Sequence, residues 1–196
     1  MVETITPVVY GSRARYRIAV IVHALAAATA GGFFGAVLGL AGMLLVAPWG
    51  TTGLIAIAVI AGVYALRELV GLPIPLFDRK QQVPDWWRTF YSPVTAAALY
   101  GGGLGIGFLT FLGHGTYVAA CATAVASGDP VIGALLGASF GLARGAGAVV
   151  NARSMDEEAA ALRVRRLESI ASTRTPQIVN GLTCLTLAVT AVRTLL

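Results

Sequence analysis

LYGGGLGIGFLTFLGHGTYVAACATAVASGDP, residues 99–130, is apolar enough to lie in lipid, yet glycine crowds it and Gly113-His114-Gly115 interrupts it. Glycine costs helix stability. Unpaired backbone in hydrocarbon costs several kcal/mol, so irregular backbone is tolerated at membrane depth only where it is buried in protein or lines a cavity. A segment needed only for crossing a bilayer has no use for such an interruption, and the stretch is read as the centre of the molecule.

Working outward, 57% of the 196 residues are hydrophobic and only 12% are charged, with a mean hydropathy of +0.78. Soluble domains carry about 25% charged residues, so this chain reads as an integral membrane protein. Segment A, residues 18–46, follows Arg13, Arg15 and Arg17; it has no convincing small-residue cleavage site and reads as a retained membrane helix. It closes at Ala47-Pro48-Trp49-Gly50. Segment B, 52–72, has an ordinary length for a hydrocarbon core of about 30 Å and is followed by Pro73 and Pro75. Segments C, D and E cover 94–127, 130–150 and 176–196, separated from their neighbours by polar stretches at 77–90 and 151–175.

As one straight helix, segment C would approach about 51 Å, whereas two crossings need about 40 residues and a turn. Charge decides between them. Lysine and arginine cluster before A, between B and C, and between D and E, where Arg153, Arg163, Arg165, Arg166 and Arg174 lie; the turns after A and C carry none. A single, broken crossing by C puts all three clusters on the cytoplasmic side. The expected fold is therefore an all-α polytopic bundle, one membrane domain over 1–196 with about five spans. Its N-terminus is cytoplasmic, its location is the inner (cytoplasmic) membrane, and glycine-broken helices A and C pack face to face. Ala26-Ala27-Ala28 with Gly31-Gly32 and Gly35 recurs as Ala96-Ala97-Ala98 with Gly101-Gly102 and Gly105, a weak internal repeat of the kind found in transporters. The formal charge of +5 belongs to membrane orientation rather than to nucleic-acid binding.

Gly103 to Thr110, the turn Gly128-Asp129-Pro130, and Val131 to Gly147 resemble the membrane core of the CcdA/DsbD family, thiol-disulfide electron carriers of cytochrome c biogenesis within a wider superfamily that includes the LysE-type exporters. Leu72 to Lys80 resembles the basic exit of that family's third helix. The resemblance implies a broken, glycine-rich helix followed by a glycine-patterned one. It also implies a cysteine in each broken helix, usually beside proline; here Phe108 to Leu112 holds neither, Cys121 has no counterpart in segment A, and the family's first helix has no match. Thiol exchange needs a pair of accessible sulfurs, so a normal two-cysteine relay is not expected.

Ionisable groups inside spans are costly and read as functional. His114, between two glycines at the break, is the main candidate to meet a solute, with Gly113, Gly115, Thr110 and Tyr117 around it; a hydrogen bond to freed backbone is its structural alternative. His23 reads as an interface histidine. Arg67, Glu68 and Arg144 are gating or structural charges near the cytoplasmic ends of B and D. Asp129 is placed to cap a helix beginning at Pro130. Cys121 is the one redox candidate, and Cys121 and Cys184 lack metal-ligand spacing. Asn180 and Thr183 are polar groups that could face the bundle interior, and the Trp86-Trp87 block suits an interfacial anchor.

No catalytic constellation, metal site or cofactor motif appears, and the chain is not expected to be an enzyme. The expected function is transport of a small solute or ion, or service as a transporter-like membrane subunit, in contact with the lipid bilayer and with a homo-oligomeric or membrane-subunit partner. The alternatives are a noncatalytic subunit of a larger complex and a thiol relay working with a partner.

Overall fold

The computed structural model describes residues 10–76, 86–107, 109, 112–151 and 157–196, without the side chains of 88, 149–151, 157, 159, 160 and 164. Among these residues all regular structure is helical. Helix α1 (Arg13–Leu44) starts where the Ser12 side chain accepts from the Arg15 amide, a common N-cap arrangement. At about 1.5 Å per residue its 32 residues reach about 48 Å. It is unbroken, which corrects the expected interruption of segment A. Its glycines serve close packing and are not turned into a break.

The turn after α1 is held by Trp49, whose indole donates to the Leu45 carbonyl at 3.0 Å. Helix α2 (Thr51–Val70) then runs back and stops at Gly71, whose φ of 82° is left-handed and whose amide bonds the Arg67 carbonyl. After a one-turn helix α3 (Trp87–Phe90), segment C divides into α4 (Pro93–Gly105) and α5 (Thr116–Ser127). With 13 and 12 residues they reach only about 20 and 18 Å, so neither crosses hydrocarbon by itself. Helix α6 (Pro130–Gly145) continues as a 3-10 turn (Ala146–Asn151), and α7 (Glu157–Ala171) and α8 (Thr175–Arg193) complete the chain. Among the described residues four helices are long and apolar enough to span a membrane: α1, α2, α6 with its extension, and α8.

Backbones meet at the centre. A Cβ on Gly35 would strike the Gly133 carbonyl and one on Gly133 the Gly35 carbonyl; Gly31 and Gly137 form the same reciprocal pair, and Gly141 meets Ala27. Helices α1 and α6 are thus antiparallel, joined along two ridges of small residues spaced by four, a pattern suited to membranes, where packing and not water drives association. On another side of α1, Gly101 abuts the His23 carbonyl and Gly105 that of Ala27, while further along Gly42 meets Val125. Helices α4 and α5 therefore follow one another along α1 in the same direction.

Helix α8 packs antiparallel to α2, with Gly181 against Glu68 and Leu69 and Cys184 and Ala188 in a cluster with Ala61, Tyr64, Ala65 and Ala119. His23 is buried (2% exposed) and bonds the Ala97 carbonyl at 3.0 Å through Nδ1. A carbonyl can only accept, so the ring donates, and His23 clasps α1 to α4. Below it Tyr16 donates to the Ala148 carbonyl at 2.6 Å. Outside the spans, burial pushes the Tyr10 phenol above its ordinary range, keeping it a donor to the Pro93 carbonyl. Outward faces carry Ile21, Leu25, Phe33, Val59, Leu66, Leu135, Leu182 and Val189, all exposed and compatible with contact to lipid.

Candidate functional site at the broken helix

Breaking a helix frees carbonyls at one end and amides at the other, and each end carries a fraction of the helix dipole. Both ends of this break are met by side chains from other helices. At the α4 end, Arg144 of α6 donates to the Leu104 carbonyl at 3.4 Å, its guanidinium lying 5.6 Å from the centre of the Phe140 ring. Tyr117 of α5 reaches back to donate to the Ile106 carbonyl at 2.5 Å. A cation and a phenol thus serve the electronegative end. Gly107, at φ 79°, makes this possible, since any side chain there would run into the Tyr117 ring.

At the α5 end the N-cap is Gly115, which has no side chain to cap with. Glu68 of α2 supplies the missing acceptor: Oε1 takes the Gly115 amide at 3.0 Å and Oε2 the His114 ring at 3.1 Å. Arg67 pairs with the same carboxylate and donates through Nε to the Ile74 carbonyl at 2.9 Å. The Glu68 side chain is 1% exposed, Arg67 23% and His114 34%. A buried carboxylate is tolerable when its lone pairs are filled and its charge is paired, and Glu68 meets both conditions. Because an ionised carboxylate accepts only, Nδ1 of His114 carries the hydrogen toward it.

Helix α8 closes the same end, where the Asn180 side chain bonds Thr116 and the Pro176 carbonyl. Thr183, by contrast, bonds its own helix at the exposed Val179 carbonyl and does not enter the bundle. Tyr64 packs so closely on Gly115 that a Cβ would strike its ring, so the second glycine of Gly113-His114-Gly115 is required by contact and not only by the break.

The break therefore gathers His114, Gly115, Tyr117, Arg67, Glu68 and Arg144. Gly113 is exposed beside them, and Thr110 lies outside the described residues. Asp129 is elsewhere: it caps α6 by accepting from Val131 at 2.7 Å and Ile132 at 3.4 Å. Cys121 and Cys184 are both free thiols and lie apart: Cys184, on α8, packs with Ala119 of α5, and Cys121, on α5, lines a narrow apolar crevice between α1, α5 and α6, walled by Phe34, Leu38, Tyr117, Leu136 and Phe140. Among the described residues no three His, Cys, Asp or Glu side chains converge to hold a metal. The sequence carries no spacing signal for the Glu68–His114 contact across 46 residues; the only hint is that an acid within an apolar span must find a partner.

No family model matches the chain, and no curated protein or solved structure does so either.

Proposed function

We propose that the protein is a transporter for a small solute or ion, or a transporter-like membrane subunit, whose binding position is the break between α4 and α5. The observation that carries this reading is the partly exposed His114 anchored to the buried Glu68 carboxylate at the mouth of a half-helix. Broken helices in transporters place their polar ends at the substrate. A purely structural interruption would be sealed, whereas this one leaves an ionisable ring one-third exposed.

In this reading segment C crosses once, giving five spans with the N-terminus in the cytoplasm of an inner membrane. The parallel run of α4 and α5 along α1 supports it, as does the distribution of basic residues. The shared A-G pattern of α1 and α4 supports an internal repeat, and the glycine motifs of segments B to D support a CcdA/DsbD-like ancestry without that family's thiol chemistry. Arg67 and Arg144 hold the two ends of the break, and Tyr117 joins the break to the crevice.

Purified protein in proteoliposomes, screened with panels of labelled small cations, anions and amino acids, tests the proposal. Flux is expected in the wild type and its loss in His114→Ala, with the variant still folded by circular dichroism and gel filtration. A variant that transports like wild type removes the site assignment, and a stoichiometric partner recovered from mild detergent with no flux favours the noncatalytic-subunit reading.

A further inference from the structure

Helix α7 is loosely held. Among the described residues it touches only α8 and the 3-10 turn that ends α6. Leu162, Arg166 and Ile170 are spaced by four, so they share one face of the helix, and all three are exposed. The half-buried Arg163 and Leu167 mark the neighbouring side, turned to the bundle. Glu168, also exposed, projects from the side opposite Arg166.

Position decides what the exposed face meets. The chain passes from α7 to α8 through a tight turn, in which the Ser172 amide bonds the Glu168 carbonyl at 2.9 Å, the Thr173 amide that of Ile170 at 3.0 Å, and the Thr175 amide the Thr173 hydroxyl at 3.2 Å. Helix α8 is long and apolar enough to span a membrane and exposes Ile178 and Val179 in its first turns, so Ile170 stands one short turn from the lipid surface. Charge points the same way. Residues 163–174 hold Arg163, Arg165, Arg166 and Arg174 against a single acid, Glu168. Arg165, Arg166 and Arg174 are exposed and form no ion pair with a described residue. A face that mixes leucine, isoleucine and arginine suits the headgroup boundary, where apolar side chains enter the acyl region and guanidinium groups meet phosphate.

We propose that α7 is an interfacial helix that lies on the leaflet entered by α8 and binds its anionic phospholipid headgroups. Leu162 and Ile170 sit in the acyl boundary, and Arg165, Arg166 and Arg174 contact the phosphates. Each arginine held near an anionic leaflet favours the docked state about fivefold. The contact is independent of the transport reading, since it involves no residue of the break.

The test uses the full chain, one copy per nanodisc, in phosphatidylcholine alone or mixed with phosphatidylglycerol. Leu162→Cys, Ile170→Cys and Glu168→Cys, each in a background lacking Cys121 and Cys184, carry an environment-sensitive dye. With phosphatidylglycerol, blue-shifted emission and protection from acrylamide are expected at 162 and 170, and open quenching at 168. Adding Arg166→Gln is expected to lower the ratio of docked to undocked helix about fivefold, and the triple change Arg165→Gln, Arg166→Gln and Arg174→Gln to abolish the protection. Equal quenching at all three positions makes α7 a solvated connector and overturns the proposal. Equal protection in the two lipids, or protection that survives the triple change, overturns headgroup binding; protection that needs a second copy in the disc marks a protein contact and does the same. Wild-type protein gives a second readout without any substitution: hydrogen exchange of the α7 amides is expected to slow when phosphatidylglycerol is present, and equal exchange in the two lipids overturns the contact.

Discussion

At the scale of the residue, Glu68 is the group on which the break depends. Its oxygens complete Gly115 and His114 and balance Arg67. Glu68→Ala leaves the Gly115 amide without its acceptor, a loss of about 1–3 kcal/mol, and should lower the unfolding midpoint in detergent; Glu68→Gln retains an acceptor and should lose less. Equal losses would mean that charge, and not the cap, carries the stabilisation. Tyr117→Phe keeps the ring stacked at 4.6 Å from Phe140 but releases the Ile106 carbonyl. Its expected cost is about 1 kcal/mol, read in the same unfolding experiment, and no change at all would show that water replaces the phenol there. His114 and its glycines were legible in the sequence because an ionisable residue at an interruption of an apolar run is conspicuous. Glu68 was legible as a gating or structural charge near the end of its own helix, but not as the partner of His114, since nothing local points to a residue 46 positions away.

At the scale of the element, small residues have two different uses that composition cannot separate. In α1 and α6, Gly31, Gly35, Gly133 and Gly137 bring the backbones into contact, and a Cβ at any of them meets a carbonyl that cannot swing aside. Gly62 in α2 has open space around its missing side chain. Gly137→Ala should therefore separate α1 from α6 and reduce stability, whereas Gly62→Ala should be neutral or stabilising by up to about 1 kcal/mol through helix propensity. Thermal unfolding of the two variants in one detergent checks the contrast, and similar behaviour would mean that the α1–α6 contact yields easily. The same reasoning explains why segment A is continuous. Its glycines each face a neighbouring backbone, so the helix recovers in packing what they cost in propensity, while the stretch around Gly113 to Gly115 is held by side chains from α2 and α8.

At the scale of the whole molecule, α1 serves as the spine on which α4, α5 and α6 are laid, and α2 with α8 forms a second pair joined to it through α5. Helix directions alternate along this arrangement, so Ser127 and Arg174 are expected on opposite sides of the membrane. Single-cysteine variants at these positions, in a background lacking Cys121 and Cys184, should label with an impermeant maleimide from opposite faces of oriented vesicles. Labelling of both from the same face would require α6 to enter and leave on one side. Arg163, Arg165 and Arg166 on α7 should then share the side of Arg174.

By itself the sequence determined that this is a helical membrane protein, where its apolar segments fall, and that the one running from 94 to 127 is interrupted at His114. Those properties are carried by local composition: hydrophobic length, glycine density and the placement of arginine are written residue by residue. Only the tertiary structure decided that α1 is continuous and that Arg144 and Glu68 sit at the two ends of the break. Freed carbonyls need a donor and freed amides an acceptor, but which helix brings them depends on how close glycine lets the backbones approach, and that is a property of pairs of helices and of no single stretch of chain.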